Sequence, residues 1–177
     1  MIAVFVLAAQ ASLPHACAAA DDVVSVYCEA VHELLHRYGA PVARIVLIDR
    51  TKLGLLGELD EQYAAKTLQV TVDAVRNLKA VNQKPTALPA NLQFEAPHVM
   101  LPEAAAISAY QPVQADPPRA GNLLVTLSAI SFSADREEAL VYGSFTCGGM
   151  CGQGVIMRMA KAPDGWRVAR VLNVWIS

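Results

Sequence analysis

The sequence predicts a single α+β domain in which N-terminal helices pack on a mostly antiparallel sheet. With 177 residues, the chain is of a size at which one hydrophobic core is normal. Hydrophobic residues make up 54% of it and charged residues 17%, which supplies enough apolar side chain for that core. Helical periodicity is found in the part that begins near Asp21, whereas short strands separated by turn residues are found after Asn122.

The N-terminal segment has the composition of an export signal. An apolar run over 2–11 is followed by small residues, and Ala18 and Ala20 fit the pattern that precedes a cleavage site. The run is shorter than the roughly 20 apolar residues that span a bilayer. We therefore predict a signal peptide over 1–20, one domain over 21–177, a periplasmic or secreted location and no transmembrane anchor.

The first element of the mature chain is predicted to be an amphipathic helix. Asp21 or Asp22 can cap it, and Gly39 can end it after Tyr38. We expect its apolar face to pack on a sheet. At helical spacing this face contains Val24, Tyr27, Val31, Leu34, Leu35 and Tyr38.

The middle of the chain alternates apolar runs with helical segments and prolines. The predicted segments are a buried strand over 42–48, a loop over 53–59, a helix over 60–81, a strand over 99–101, a helical turn or two over 103–109 and a proline-rich surface connection over 110–121.

The C-terminal part predicts a meander of about four antiparallel strands, over 123–132, 139–146, 155–161 and 166–176. Asp164-Gly165 is a hairpin turn signal, because the type I′ turn needs positive φ at both central positions. Helices on one face of this sheet would bury both kinds of apolar surface.

The charge pattern excludes one class of partner. The formal net charge is -2, and no block of Lys or Arg could follow a phosphate backbone. We therefore predict no nucleic-acid binding, and the partner stays unspecified.

The C-terminal third contains a series of short motifs. They are Leu127-Ser128, Ala139-Leu140-Val141-Tyr142, Cys147-Gly148, Cys151-Gly152-Gln153-Gly154, Gly165-Trp166-Arg167-Val168 and Val174-Trp175-Ile176-Ser177. On these motifs the chain resembles an uncharacterised family of exported bacterial proteins, with a fainter match at Tyr27 and over 48–51. The resemblance implies export and this fold, and it implies no chemistry.

The segment His32-Glu33-Leu34-Leu35-His36 matches the zinc-peptidase pattern HExxH. In that pattern the two histidines share a metal and the glutamate activates the bound water. On the predicted helix, however, both histidines lie roughly 120° to 160° from the centre of the apolar face, which points them at solvent. The third ligand is also unclear, although Glu58 or Glu61 lies at a suitable separation in the sequence. We interpret the match as a solvated helix face without a cofactor and keep a zinc-dependent hydrolase as the alternative.

Two cysteines flank the glycine-rich segment between two predicted strands. Cys147 and Cys151 would stand on the two sides of a hairpin, where an oxidising compartment favours a disulfide. As alternatives, the pair could be redox-active, or it could bind Cu(I) together with Met150 and Met157 or Met159. Cys28 is expected to be a buried, inert thiol.

No convincing catalytic set emerges from these patterns. We therefore predict a non-enzymatic binding or structural domain with the glycine-rich hairpin as its candidate contact surface. That surface comprises Gly148, Gly149, Met150, Gly152, Gln153 and Gly154.

Overall fold

The computed structural model describes residues 21–52, 54–110, 121–148 and 150–177. The helices are α1 (Asp22–Tyr38), α2 (Glu61–Leu68), α3 (Val72–Val81) and α4 (Glu103–Ala109), and a short 3-10 helix spans Gly54–Glu58. The strands are β1 (Val42–Ile48), β2 (His98–Leu101), β3 (Gly121–Leu127), β4 (Ser131–Phe132), β5 (Glu138–Gly148), β6 (Cys151–Ala162) and β7 (Gly165–Ile176). The predicted α+β class is confirmed. The predicted signal peptide and nearly all of the proline-rich connection lie outside the described residues.

All the strands form one sheet in the order β2-β1-β3-β5-β6-β7, with β4 beside β5. The neighbours β3, β5, β6 and β7 are antiparallel, which confirms the predicted meander. In contrast, β1 runs parallel to both β2 and β3, a pairing that the sequence analysis did not anticipate. Such parallel pairs require long crossover connections, and the helices between these strands supply them.

Helices cover both faces of the sheet, so the expectation that they lie on one face was wrong. On β5, Val141 packs in the core beneath α1, whereas its neighbours Leu140 and Tyr142 pack in a second core with α2 and α3. Successive strand residues point to opposite faces, so these two cores lie on opposite sides. The cause is visible in β6, where Val155, Ile156 and Met157 are consecutive and all fully buried.

The helix α1 has the bounds and the caps that the sequence predicts. Asp21 accepts a hydrogen bond from Val23 N at 2.7 Å, and Gly39 ends the helix in the left-handed conformation with φ 68°. The buried side of α1 lies against β5 and β7. Leu34 is fully buried there and packs on Gly143, where an added Cβ would lie 3.0 Å from Leu34 Cδ1.

Two predicted elements are each divided in the structure. The helix over 60–81 breaks into α2 and α3, because Gln69 adopts φ 56° and Thr71 accepts a hydrogen bond from Ala74 N at 3.2 Å as a new cap. The strand over 123–132 breaks at Ser128, whose Oγ accepts a hydrogen bond from Tyr142 N at 2.8 Å. The predicted loop over 53–59 contains the 3-10 helix. At both breaks, the side chain of Thr71 or Ser128 competes with regular backbone pairing.

The N-terminus of α1 is attached to the meander through one carboxylate. Trp166 Nε1 donates a hydrogen bond to Asp22 Oδ1 at 2.9 Å, and Lys161 Nζ lies 3.1 Å from the same oxygen. The hydrogen bond from Trp166 is the main reason that the pKa of Asp22 lies below its ordinary value, with Lys161 adding to it and partial burial opposing it.

This lowered pKa predicts an acid-sensitive contribution to stability. Because the folded-state pKa is depressed, the stabilisation is complete above about pH 4, the range of an unperturbed Asp, and is lost as the pH falls through the folded-state pKa. We expect Asp22→Asn to be less stable than the parent protein at neutral pH and to approach it in acid. Urea unfolding at a series of pH values measures this, and a constant difference between the two proteins would contradict it.

Candidate functional site

The two histidines of the HExxH segment face solvent, as predicted. His32 and His36 are both exposed, and together with Glu29, Glu33 and Val168 they line a shallow depression of about 240 Å³. The depression lies on the side of α1 that overlooks β7, the last strand of the sheet.

Both carboxylates of this depression are in ion pairs with arginines. Arg37 Nε donates a hydrogen bond to Glu33 Oε1 at 2.7 Å, one helical turn along α1. Arg167 Nη1 lies 3.3 Å from Glu29 Oε1. A glutamate that serves as a general base must be available to a metal-bound water. Here Glu33 Oε1 instead accepts a hydrogen bond from the guanidinium of Arg37.

The suggested third ligands lie elsewhere. Glu61 is on α2, where its carboxylate binds Arg76 Nε at 2.9 Å and Lys79 Nζ at 3.2 Å. Glu58 ends the 3-10 helix, whose Leu56 packs in the same core as α2, on the sheet face opposite α1. Throughout the described ranges, no group of three or more His, Cys, Asp or Glu side chains could hold a metal ion.

The disulfide predicted between Cys147 and Cys151 is confirmed. The two Cα atoms are 5.1 Å apart, and the cysteines close the hairpin between β5 and β6. Met150 lies inside this closed loop with 88% of its surface exposed. Gly149 lies outside the described residues. The disulfide therefore holds a loop that presents an apolar side chain to solvent.

The glycines that follow the disulfide are covered by an indole ring. Gly152 and Gly154 are both buried on β6, and Trp175 of β7 lies over them. A Cβ on Gly152 would be 3.0 Å from Trp175 Cη2, and one on Gly154 would be 2.6 Å from both Trp175 Cδ1 and Tyr142 Oη. Trp175 Nε1 donates a hydrogen bond to Tyr142 Oη at 2.9 Å. These two glycines accommodate the indole ring beneath the loop.

On the opposite face of the sheet, hydrogen bonds between polar side chains connect the same hairpin to its neighbours. Gln153 Nε2 donates to Asn173 Oδ1 at 2.9 Å, and Arg37 Nη1 donates to the same oxygen at 3.2 Å. The end of α1 is thereby connected to β6 and β7. Ile176 pairs with Gln153 across the ladder and is 70% exposed, so it adds a second apolar side chain at this end of the sheet.

Within the predicted contact surface, the accessible part is therefore smaller than the motif. Gly152 and Gly154 are buried, whereas Met150 is open to solvent and Gln153 is half-buried. Trp175, Tyr142 and Ile176 also belong to this region, although they were not among its predicted residues. One signal was present: glycines two apart on a strand share a face, and a nearby aromatic residue often fills the space above them.

The positions of the methionines and the oxidation of the cysteines do not fit a copper site or a free-thiol pair. Met157 and Met159 are fully buried in the core beneath α1. Cys147 and Cys151 are oxidised, so neither is a thiolate ligand in this structure. The expectation that Cys28 is a free thiol was wrong, because Cys28 is disulfide-bonded. Its Sγ also lies 3.6 Å from the backbone oxygen of Gln93.

Comparison of the chain with protein-family models, curated proteins and solved structures yields no match. Among the described residues, no helix is long and apolar enough to cross a bilayer.

Removing the hairpin disulfide is expected to lower the free energy of unfolding by about 2 kcal/mol, the loop-closure contribution of so short a ring. The test is a Cys147→Ser, Cys151→Ser double variant, which removes this disulfide and leaves Cys28 unchanged. Met150→Ser is the control inside the same loop and should change stability by less than about 0.5 kcal/mol. Equal stability of the double variant and the parent would contradict the expectation.

Proposed function

We propose that the protein is an exported bacterial protein that acts as a non-enzymatic binding domain, without a cofactor. The disulfide-closed hairpin between β5 and β6 is its contact surface, and the surface of a partner protein is what it contacts. The observation that carries this proposal is the 88% exposure of Met150 on a loop fixed at both ends by Cys147 and Cys151.

The rigidity of the loop supports a binding role. Trp175 packs beneath one face of the hairpin, while Gln153 and Asn173 connect the other face to α1. A contact loop that is already ordered loses little conformational entropy when it binds. Methionine suits such a surface because its flexible thioether adapts to irregular apolar partners.

Three features support export. The apolar N-terminal run and the small residues before Asp21 have the pattern of a signal peptide. The disulfide between Cys147 and Cys151 is of a kind that persists in oxidising compartments. The C-terminal motifs resemble an uncharacterised family of exported bacterial proteins.

The competing proposal is a zinc-dependent hydrolase with His32 and His36 as ligands and Glu33 as base. Its support is the HExxH pattern and the depression that these side chains line. The ion pair between Glu33 and Arg37 disfavours it. A thiol-redox or copper function would need the Cys147–Cys151 disulfide to be reduced first.

Site-specific photo-crosslinking in the exporting cell tests the binding proposal. A photoreactive amino acid replaces Met150 in one variant and Gln62, an exposed residue of α2, in a matched control. We expect one discrete protein adduct from position 150, identified by mass spectrometry, and none of that mass from position 62. The adduct should weaken when the crosslinker is combined with Ile176→Ser.

Two results would overturn the proposal. The first is the absence of any protein adduct at position 150 in cells where the protein is exported and oxidised. The second is the same set of adducts at positions 150 and 62, which would indicate unspecific collision.

A further inference from the structure

A groove of about 470 Å³ lies on the opposite face of the sheet from α1, where the first turns of α3 approach β4 and β5. This volume is within the range of small-molecule sites, about 300 to 1,000 Å³. The buried side chain of Leu140 contributes an apolar floor. Hydroxyl and amide groups line its rim, contributed by Gln69, Thr71, Asn77, Ser131 and Ser133.

One hydroxyl in this groove has unused hydrogen-bonding capacity. Ser131 is only 9% exposed, and its side chain makes no hydrogen bond within the described part of the chain. Its backbone pairs with Leu140, which places its side chain on the groove face of the sheet. The Ser131 oxygen is not among the fully buried, unpartnered side-chain atoms of the described residues, so it remains in contact with solvent, and a ligand hydroxyl can take the place of a bound water there.

The charges around the groove are balanced. Glu138 is paired with Arg158, whose Nε lies 3.3 Å from Glu138 Oε2. Asp73 is paired with Arg76 at 3.0 Å. Because each carboxylate already has a guanidinium partner, the groove offers no uncompensated charge to an anion or a cation. Thr71 accepts from Ala74 N and keeps its own hydroxyl proton available to donate.

From this geometry we propose that the groove binds an uncharged, hydroxyl-rich small molecule, of which a sugar ring is the chemical class. Such a ligand presents paired donors and acceptors to the rim and an apolar C–H face to the floor. Ser131 is the specificity-determining contact. The site is separate from the hairpin surface that contains Met150, so the groove proposal and the binding-domain proposal can be tested independently.

Nuclear magnetic resonance titration of the oxidised protein tests the inference with glucose, glucuronate and glucosamine. The three probes share one ring and differ in charge. We expect saturable shifts for glucose, concentrated in the backbone amides of 69–77 and 131–140, and weaker binding of both charged sugars. Ser131→Ala should weaken glucose binding about three- to tenfold, the value of one hydrogen bond, without lowering thermal stability.

Two further variants locate the site. Ala74→Leu places a larger side chain in the groove and should abolish the shifts while α3 stays folded. Ser144→Ala, whose hydroxyl bonds to Thr126 at 2.6 Å away from the groove, and Met150→Ser should both leave glucose binding unchanged. The inference is overturned if glucose gives no saturable shifts, if a charged sugar binds as tightly, or if Ala74→Leu binds normally.

Discussion

Leu34→Ala is expected to lower the free energy of unfolding by about 3 to 4 kcal/mol, whereas His36→Ala, two positions along, should change it by less than about 0.5 kcal/mol. Leu34 is fully buried and packs on Gly143, so truncation leaves a cavity beneath α1. His36 is exposed. Both residues belong to the HExxH segment, and the contrast shows which of its positions stabilise the fold.

Chemical denaturation of the two variants beside the parent protein measures this contrast. Leu35→Ala is an intermediate control, because Leu35 is only partly buried against the same core. A large loss for His36→Ala that equals the loss for Leu34→Ala would contradict the account, since a solvated imidazole has little packing to lose. Circular dichroism confirms that each variant keeps its helix content.

Gly154→Ala is expected to lower the free energy of unfolding by about 2 to 3 kcal/mol, a large effect for one methyl group. The new Cβ would lie 2.6 Å from Trp175 Cδ1 and from Tyr142 Oη, so the indole ring must move and its hydrogen bond to Tyr142 must break. Displacing Trp175 also removes the packing beneath the disulfide-closed loop.

A double-mutant cycle identifies the cause of this loss. In a Trp175→Ala background the main steric conflict is absent, so we expect the additional penalty of Gly154→Ala to fall to about half. In a Trp166→Phe background, Trp175 is the one remaining tryptophan of the chain. Its fluorescence with and without Gly154→Ala then reports whether the indole has moved. Equal penalties in the two backgrounds would show that Trp175 is not the reason for the glycine.

The parts of the fold with strong local signals could be predicted from the sequence. Asp21 and Gly39 bound α1 by capping, and the predicted hairpin between β6 and β7 is present. The type I′ turn predicted at Asp164-Gly165 was wrong, because the loop residues are Pro163 and Asp164 and only Gly165 of the predicted pair has positive φ, at 127°. The cysteines on either side of a short glycine-rich turn predicted their own disulfide. In each case the determining residues are neighbours along the chain.

The remaining features depend on residues that are distant in sequence. The position of β1 between β2 and β3 is set by tertiary packing, and so is the burial of both sheet faces. Trp175 covers Gly154 only because β6 and β7 pair in one particular register. Ser131 lines a groove only because α2 and α3 are separate helices, and the break at Gln69 and Thr71 was hidden by continuous helical periodicity.

Metal analysis of the purified, oxidised protein tests most directly whether α1 turns its histidines to water rather than to a catalytic metal. We expect no stoichiometric zinc and the same melting temperature with and without a chelator, for the parent protein and for His36→Ala alike. One zinc per chain that disappears in His36→Ala would contradict it, and would identify His32, Glu33 and His36 as parts of a metal site.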